Sequence, residues 1–134
     1  MKKTYRILLL PVLVLSLFIL PGCGKSEEAV CDYQVKAYPS NVSGATTASV
    51  NQEIDLTITF AVTNSCGTFG TFTESTVGNT TTVDVAARYT GCTCNQAPVL
   101  RTTVYKFKRA AAGTYTLQFY QTQTTFLTYT IIVN

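Results

Sequence analysis

The sequence predicts an all-β protein: a single antiparallel β-sandwich of seven strands, lying behind a cleaved signal peptide. Three observations predict it. Apolar and polar residues alternate with period two in stretch after stretch beyond residue 30. Clusters of Gly, Asn, Ser and Thr separate those stretches, as turns separate strands. No segment carries a helical period. The one alanine run, Ala110 to Ala112, stops at Gly113 and is too short for a helix.

The segments divide in order as 1–22, a signal peptide; 23–29, a lipidated cysteine and a short tether; and 30–134, the sandwich domain. Lys2, Lys3 and Arg6 make a positive start. Ile7 to Leu20 is an apolar run, too short for a comfortable membrane span of about 20 residues. Its length and flanks fit a secretory signal. The run ends at Leu20-Pro21-Gly22-Cys23. That junction resembles the lipobox of bacterial lipoproteins, with an aliphatic residue three before the cysteine and a small residue directly before it. Pro21 departs from the usual small or aliphatic residue. The resemblance implies a diacylglyceryl group on the Cys23 thiol, cleavage before Cys23 and acylation, such as by palmitate, of the new amino terminus. Two or three acyl chains hold a protein stably at a membrane where one does not. Gly24 is not the aspartate that such lipoproteins use for inner-membrane retention. Lys25, Glu27 and Glu28 resemble the charged surface-export signals of Bacteroidetes lipoproteins. The implied address is the bacterial envelope, at the outer membrane rather than the inner.

The first expected strand is 30–38, with Cys31, Tyr33, Val35 and Ala37 facing inward and Asp32, Gln34 and Lys36 outward. In 53–62, Ile54, Leu56, Ile58, Phe60 and Val62 face the core. A short strand is expected over 69–73. Val83, Val85, Ala87 and Tyr89 face inward in 81–89, and Tyr105 and Phe107 in 102–108. Tyr115, Leu117 and Phe119 do so in 114–120, and Leu127, Tyr129, Ile131 and Val133 in 126–133. Outward positions are rich in Thr, which suits a solvated pleated surface. The segments 39–49 and 75–80 read as loops. "AAGTYTLQF" (111–119) resembles the penultimate strand of immunoglobulin-like and fibronectin type III-like bacterial modules. That resemblance implies an Ig-like sandwich, with Tyr115 inward and its hydroxyl bonded near the corner.

Apart from Cys23, the domain holds Cys31, Cys66, Cys92 and Cys94. An exported chain meets oxidising conditions, so an even set reads as two disulfides. Strand parity places all four at one end of the sandwich. Cys92 and Cys94 are too close in sequence to pair well with each other. Each therefore pairs with Cys31 or Cys66, in either arrangement. The alternative reading is a thiol-based metal or redox protein built on the same four residues. Histidine is absent and Met1 is the single methionine, so any metal site would rest on thiolates. No metal or other cofactor is expected.

The formal charge of +3 comes largely from the signal, and the mature portion is balanced. A nucleic-acid partner is unsupported. Without histidine there is no Ser-His or Cys-His pair, and the carboxylates are scattered, so no enzyme is expected. The expected function is a non-catalytic binding or structural module, with an enzyme inhibitor as a further alternative. The end opposite the cysteines points away from the lipid, because the tether is short. A protein or polysaccharide partner is expected to meet Asn41, Thr46, Thr47, Gly78, Asn79, Thr80 and Arg109 there. Lys106 and Lys108 form a candidate basic strip beside Arg109.

Overall fold

The computed structural model describes residues 31–134. The signal peptide, Cys23 and the tether expected over 1–29 lie outside the described residues. Nine strands are present: β1 (Asp32–Ala37), β2 (Pro39–Gly44), β3 (Thr47–Ala48), β4 (Ile54–Val62), β5 (Gly67–Val77), β6 (Thr80–Thr90), β7 (Val99–Phe107), β8 (Gly113–Tyr120) and β9 (Phe126–Val133). They form two packed sheets. One holds β2, β4 and β7; the other runs β1-β6-β8-β9-β3, with β5 along the opposite edge of β6.

The core follows from the alternation. In β4 every second residue from Ile54 to Val62 is buried and none of those between is. The matching faces of β6, β7, β8 and β9 supply Val83, Val85, Tyr105, Phe107, Leu117, Phe119 and Ile131. Aromatic rings meet edge to face across the sandwich, as Tyr105 does with Phe72 at 5.2 Å and with Phe119 at 5.9 Å. The Tyr115 hydroxyl donates to the Ala111 carbonyl at 3.0 Å, which closes the corner before β8.

Three expectations need correction. First, the described residues form nine strands, not seven. The segment 39–49 is not a polar loop: β2 pairs with β4, and β3 pairs with β9. Its composition is turn-like, but Pro39 and Ala48 are buried and the free edges of β4 and β9 offer backbone partners. The run from Asp32 to Ala48 thus laces the two sheets together, joining first one, then the other, then the far edge of the first. Second, the pairing is mixed. β6 and β8 run parallel over Thr80–Val83 and Thr116–Phe119, and β3 runs parallel to β9. Third, Tyr33 and Val35 face the core side but stay 42% and 43% exposed, because β1 is an edge strand that the smaller sheet does not cover.

β5 is also longer than the expected 69–73. It runs to Val77 and turns into β6 through Gly78 and Asn79, with Val77 opposite Thr80. Gly78 has φ +58°, the left-handed conformation that a two-residue hairpin needs at its first position.

Candidate functional site

The four cysteines meet at one end, as strand parity requires. Cys31 pairs with Cys92 and Cys66 with Cys94, with Cα separations of 5.0 and 5.6 Å. The loop after β6 is therefore pinned twice, once to the start of β1 and once to the β4–β5 turn. Arg101 finishes this end: its guanidinium donates to the carbonyls of Gly67 at 2.9 Å and Ser65 at 3.0 Å. Among the described residues no three His, Cys, Asp or Glu side chains are placed to hold a metal ion.

At the opposite end the structure gathers only part of the expected partner patch. Gly78, Asn79, Thr80 and Arg109 come together. Asn79 donates to the Thr114 carbonyl at 3.1 Å, and Arg109 donates to Thr81 Oγ1 at 2.9 Å. Arg109 is not a free surface charge. Its guanidinium lies 4.8 Å from the Phe107 ring centroid and 5.5 Å from that of Tyr115, half-buried over the end of the core. Thr46 and Thr47 sit beside Ile132 on β9. Asn41 lies apart from them, opposite Thr59 partway up β4. Lys106 is engaged by Glu53 at 2.6 Å and Asp55 at 3.4 Å, which raises its pKa, while Lys108 is exposed. Lys106 is thus neutralised by acids of β4 and the turn before it, while Lys108 and Arg109 form no ion pair among the described residues.

A polar contact that the sequence did not suggest lies between β5 and β7. Burial holds the Tyr105 hydroxyl protonated well above the usual tyrosine range, and the Glu74 carboxylate beside it pushes the same way. Glu74 sits opposite Val83, on the core side of β5.

A groove of about 330 Å³ opens on the outer face of the larger sheet, where β1, β6 and β5 lie side by side. One ion pair, Lys36 with Asp84, lines it, and a second, Arg88 with Asp32, lies one outward position further along β6. Arg88 donates through Nε to Asp32 at 2.9 Å and through its second nitrogen to the other carboxylate oxygen. That contact lowers the Asp32 pKa. Lys36 pairs with Asp84. The Asp84 oxygen that Lys36 meets, Oδ1, is sealed from solvent. The Lys36 ammonium also stands 3.4 Å over the Tyr120 ring, which lies tilted against Phe126 with centroids 4.6 Å apart. The alternation places Asp32, Gln34, Lys36, Asp84 and Arg88 on outward positions. Only the β1–β6 register brings them together.

These features define a small β-sandwich stapled by disulfides at one end and grooved on its larger sheet. The model of the ORF11 beta-sandwich domain family matches residues 56–134, more than half of the chain, and the chain belongs to that family. The match begins within β4 and takes in Cys66, Cys92 and Cys94, while β1 to β3 and Cys31 precede it. No curated protein and no solved structure matches the chain.

Proposed function

We propose that this protein is a non-catalytic binding module of the bacterial envelope, anchored through lipid on Cys23. The observation that carries the reading is the convergence of both disulfides on the end where Cys31 enters the sandwich. Disulfides of this kind belong to exported domains, and the lipobox-like sequence before Cys23 gives the route of export. The tether from Cys23 to Cys31 spans at most about 3.3–3.6 Å per residue. The cysteine end therefore sits next to the lipid, at the outer membrane of a Bacteroidetes-type envelope. Tension on the anchor enters the domain at the Cys31–Cys92 bond and passes directly to β6, which pairs with three other strands. The partner is a protein or a polysaccharide, met on surfaces away from the membrane.

The experiment is metabolic labelling with a tagged fatty acid in a bacterial host that processes lipoproteins. The wild-type protein takes up label and fractionates with membranes, and Cys23→Ser does neither. Equal labelling of the two overturns the reading.

A further inference from the structure

The groove on the outer face of the larger sheet has a composition that selects one kind of ligand. Along β6, the outward positions run Asp84, Ala86, Arg88. Ala86 is the floor, and its small side chain leaves a gap between the two charged neighbours. Lys36 lies opposite it on β1 and Thr71 on β5. Gly70 deepens the gap. A Cβ there would stand 3.1 Å from the Ala86 carbonyl and 3.3 Å from Gln34 Oε1, so the missing side chain is what lets the Gln34 amide approach β5.

Each charge at the rim is already cancelled: Arg88 by Asp32, and Lys36 by Asp84. A charged ligand meets both signs at once and must displace an existing pair. A ligand of neutral hydroxyl groups faces no such competition. It needs donors and acceptors close together, and the groove supplies both. The Gln34 amide offers N–H and C=O, the Thr73 hydroxyl does either, and Asp84, whose Oδ1 is sealed against Lys36, keeps its other carboxylate oxygen on the exposed side. An apolar surface adjoins through Lys36, where Tyr120 and Phe126 form a tilted pair and Phe126 is exposed. The C–H face of a sugar ring fits the exposed Phe126 ring, since Lys36 already covers Tyr120. The volume lies near the lower end of small-molecule sites, about 300–1,000 Å³.

We infer that this groove binds a neutral saccharide unit, held by Gln34, Thr73 and Asp84 over the floor of Ala86. The inference goes beyond the anchoring reading and does not depend on it, since the groove is formed by the sandwich alone.

The test uses the full chain with its disulfides intact, in a zwitterionic detergent without a sugar headgroup. Maltose, cellobiose and N,N′-diacetylchitobiose are titrated against it and followed by calorimetry and amide NMR, with digalacturonate as the anionic comparison. At least one neutral disaccharide binds, and amide signals of β1, β5 and β6 shift. Ala86→Leu fills the floor, and Gln34→Ala removes the amide from an exposed position. Each weakens binding about tenfold, the worth of roughly one good hydrogen bond or contact, without moving the melting temperature of Gln34→Ala. Should Ala86→Leu not fold, Gln34→Ala decides alone. Three results overturn the inference: no binding of any neutral disaccharide, affinity within twofold of wild type in Gln34→Ala, or binding of digalacturonate only.

Discussion

The Tyr89 hydroxyl accepts the Thr63 backbone N–H at 2.9 Å and lies 3.2 Å from Thr63 Oγ1, tying the end of β6 to the end of β4 just inside the disulfides. The Tyr89 ring is buried and stacks on Tyr33, centroids 5.0 Å apart and planes 8° from parallel. One side chain thus joins the two sheets and also holds the edge strand β1.

Tyr89→Phe keeps the ring and removes the hydroxyl. It is expected to cost about 1 kcal/mol, the usual worth of a hydrogen bond that leaves an amide unpaired. Urea denaturation measures it. A loss near zero would mean that water replaces the hydroxyl without penalty.

The disulfides are expected to contribute more. Their sequence separations are 61 for Cys31–Cys92 and 28 for Cys66–Cys94. Loops of these lengths are each worth roughly 2–5 kcal/mol, the longer one somewhat more. The double variants Cys31→Ala/Cys92→Ala and Cys66→Ala/Cys94→Ala are compared by thermal denaturation. The first is expected to lose more. An unchanged melting temperature for both would remove the staples from the account.

Arg109 is expected to act on stability rather than on a partner. Arg109→Met removes a hydrogen bond from a charged donor to the buried Thr81 and two ring contacts. The expected loss is about 2 kcal/mol, read by chemical denaturation. A silent substitution would return Arg109 to the list of free surface charges.

Most of the core was legible because strand alternation survives in the sequence wherever a strand is buried on one face. Ile54 to Val62 is the clearest case, and β6, β8 and β9 follow it. β2 and β3 were illegible because "PSNVSGATTA" has the composition of a turn, and its strands are held by neighbouring edges rather than by its own apolar face. The length of β5 was hidden by the register shift between Phe69 and Thr71, which breaks the alternation, and by Glu74 and Thr76 standing on its core side. The groove could not be read for a different reason. Asp32 and Arg88 are 56 residues apart, and only pairing of β1 with β6 makes them neighbours. The disulfide end was legible from strand parity, but the choice of Cys92 for Cys31 needed the ladder that brings the Gly91 N–H to the Cys31 carbonyl at 2.7 Å.

Alkaline pH tests the Tyr105 environment. Its folded pKa lies above the ordinary value of 10.0, chiefly through burial and then through Glu74. The unfolded chain therefore releases this proton first as pH rises. Between the two values the folded state holds more protons than the unfolded state, so stability falls with rising pH. The contribution is complete below about pH 10 and is lost above it. Lys106, also raised, adds in the same direction. Tyr105→Phe is expected to flatten the loss of stability above pH 10 compared with wild type. Identical alkaline profiles would place the Tyr105 hydroxyl in solvent.

The central claim is that this is an exported domain whose cysteines are structural. Peptide mapping under non-reducing conditions, on protein taken directly from bacterial envelopes with free thiols blocked, tests this most directly. The prediction is two linked peptide pairs, Cys31 with Cys92 and Cys66 with Cys94, and no blocked thiol among the four. Blocked thiols at Cys92 and Cys94, together with a stoichiometric metal in the unblocked protein, would contradict it and favour a thiolate site.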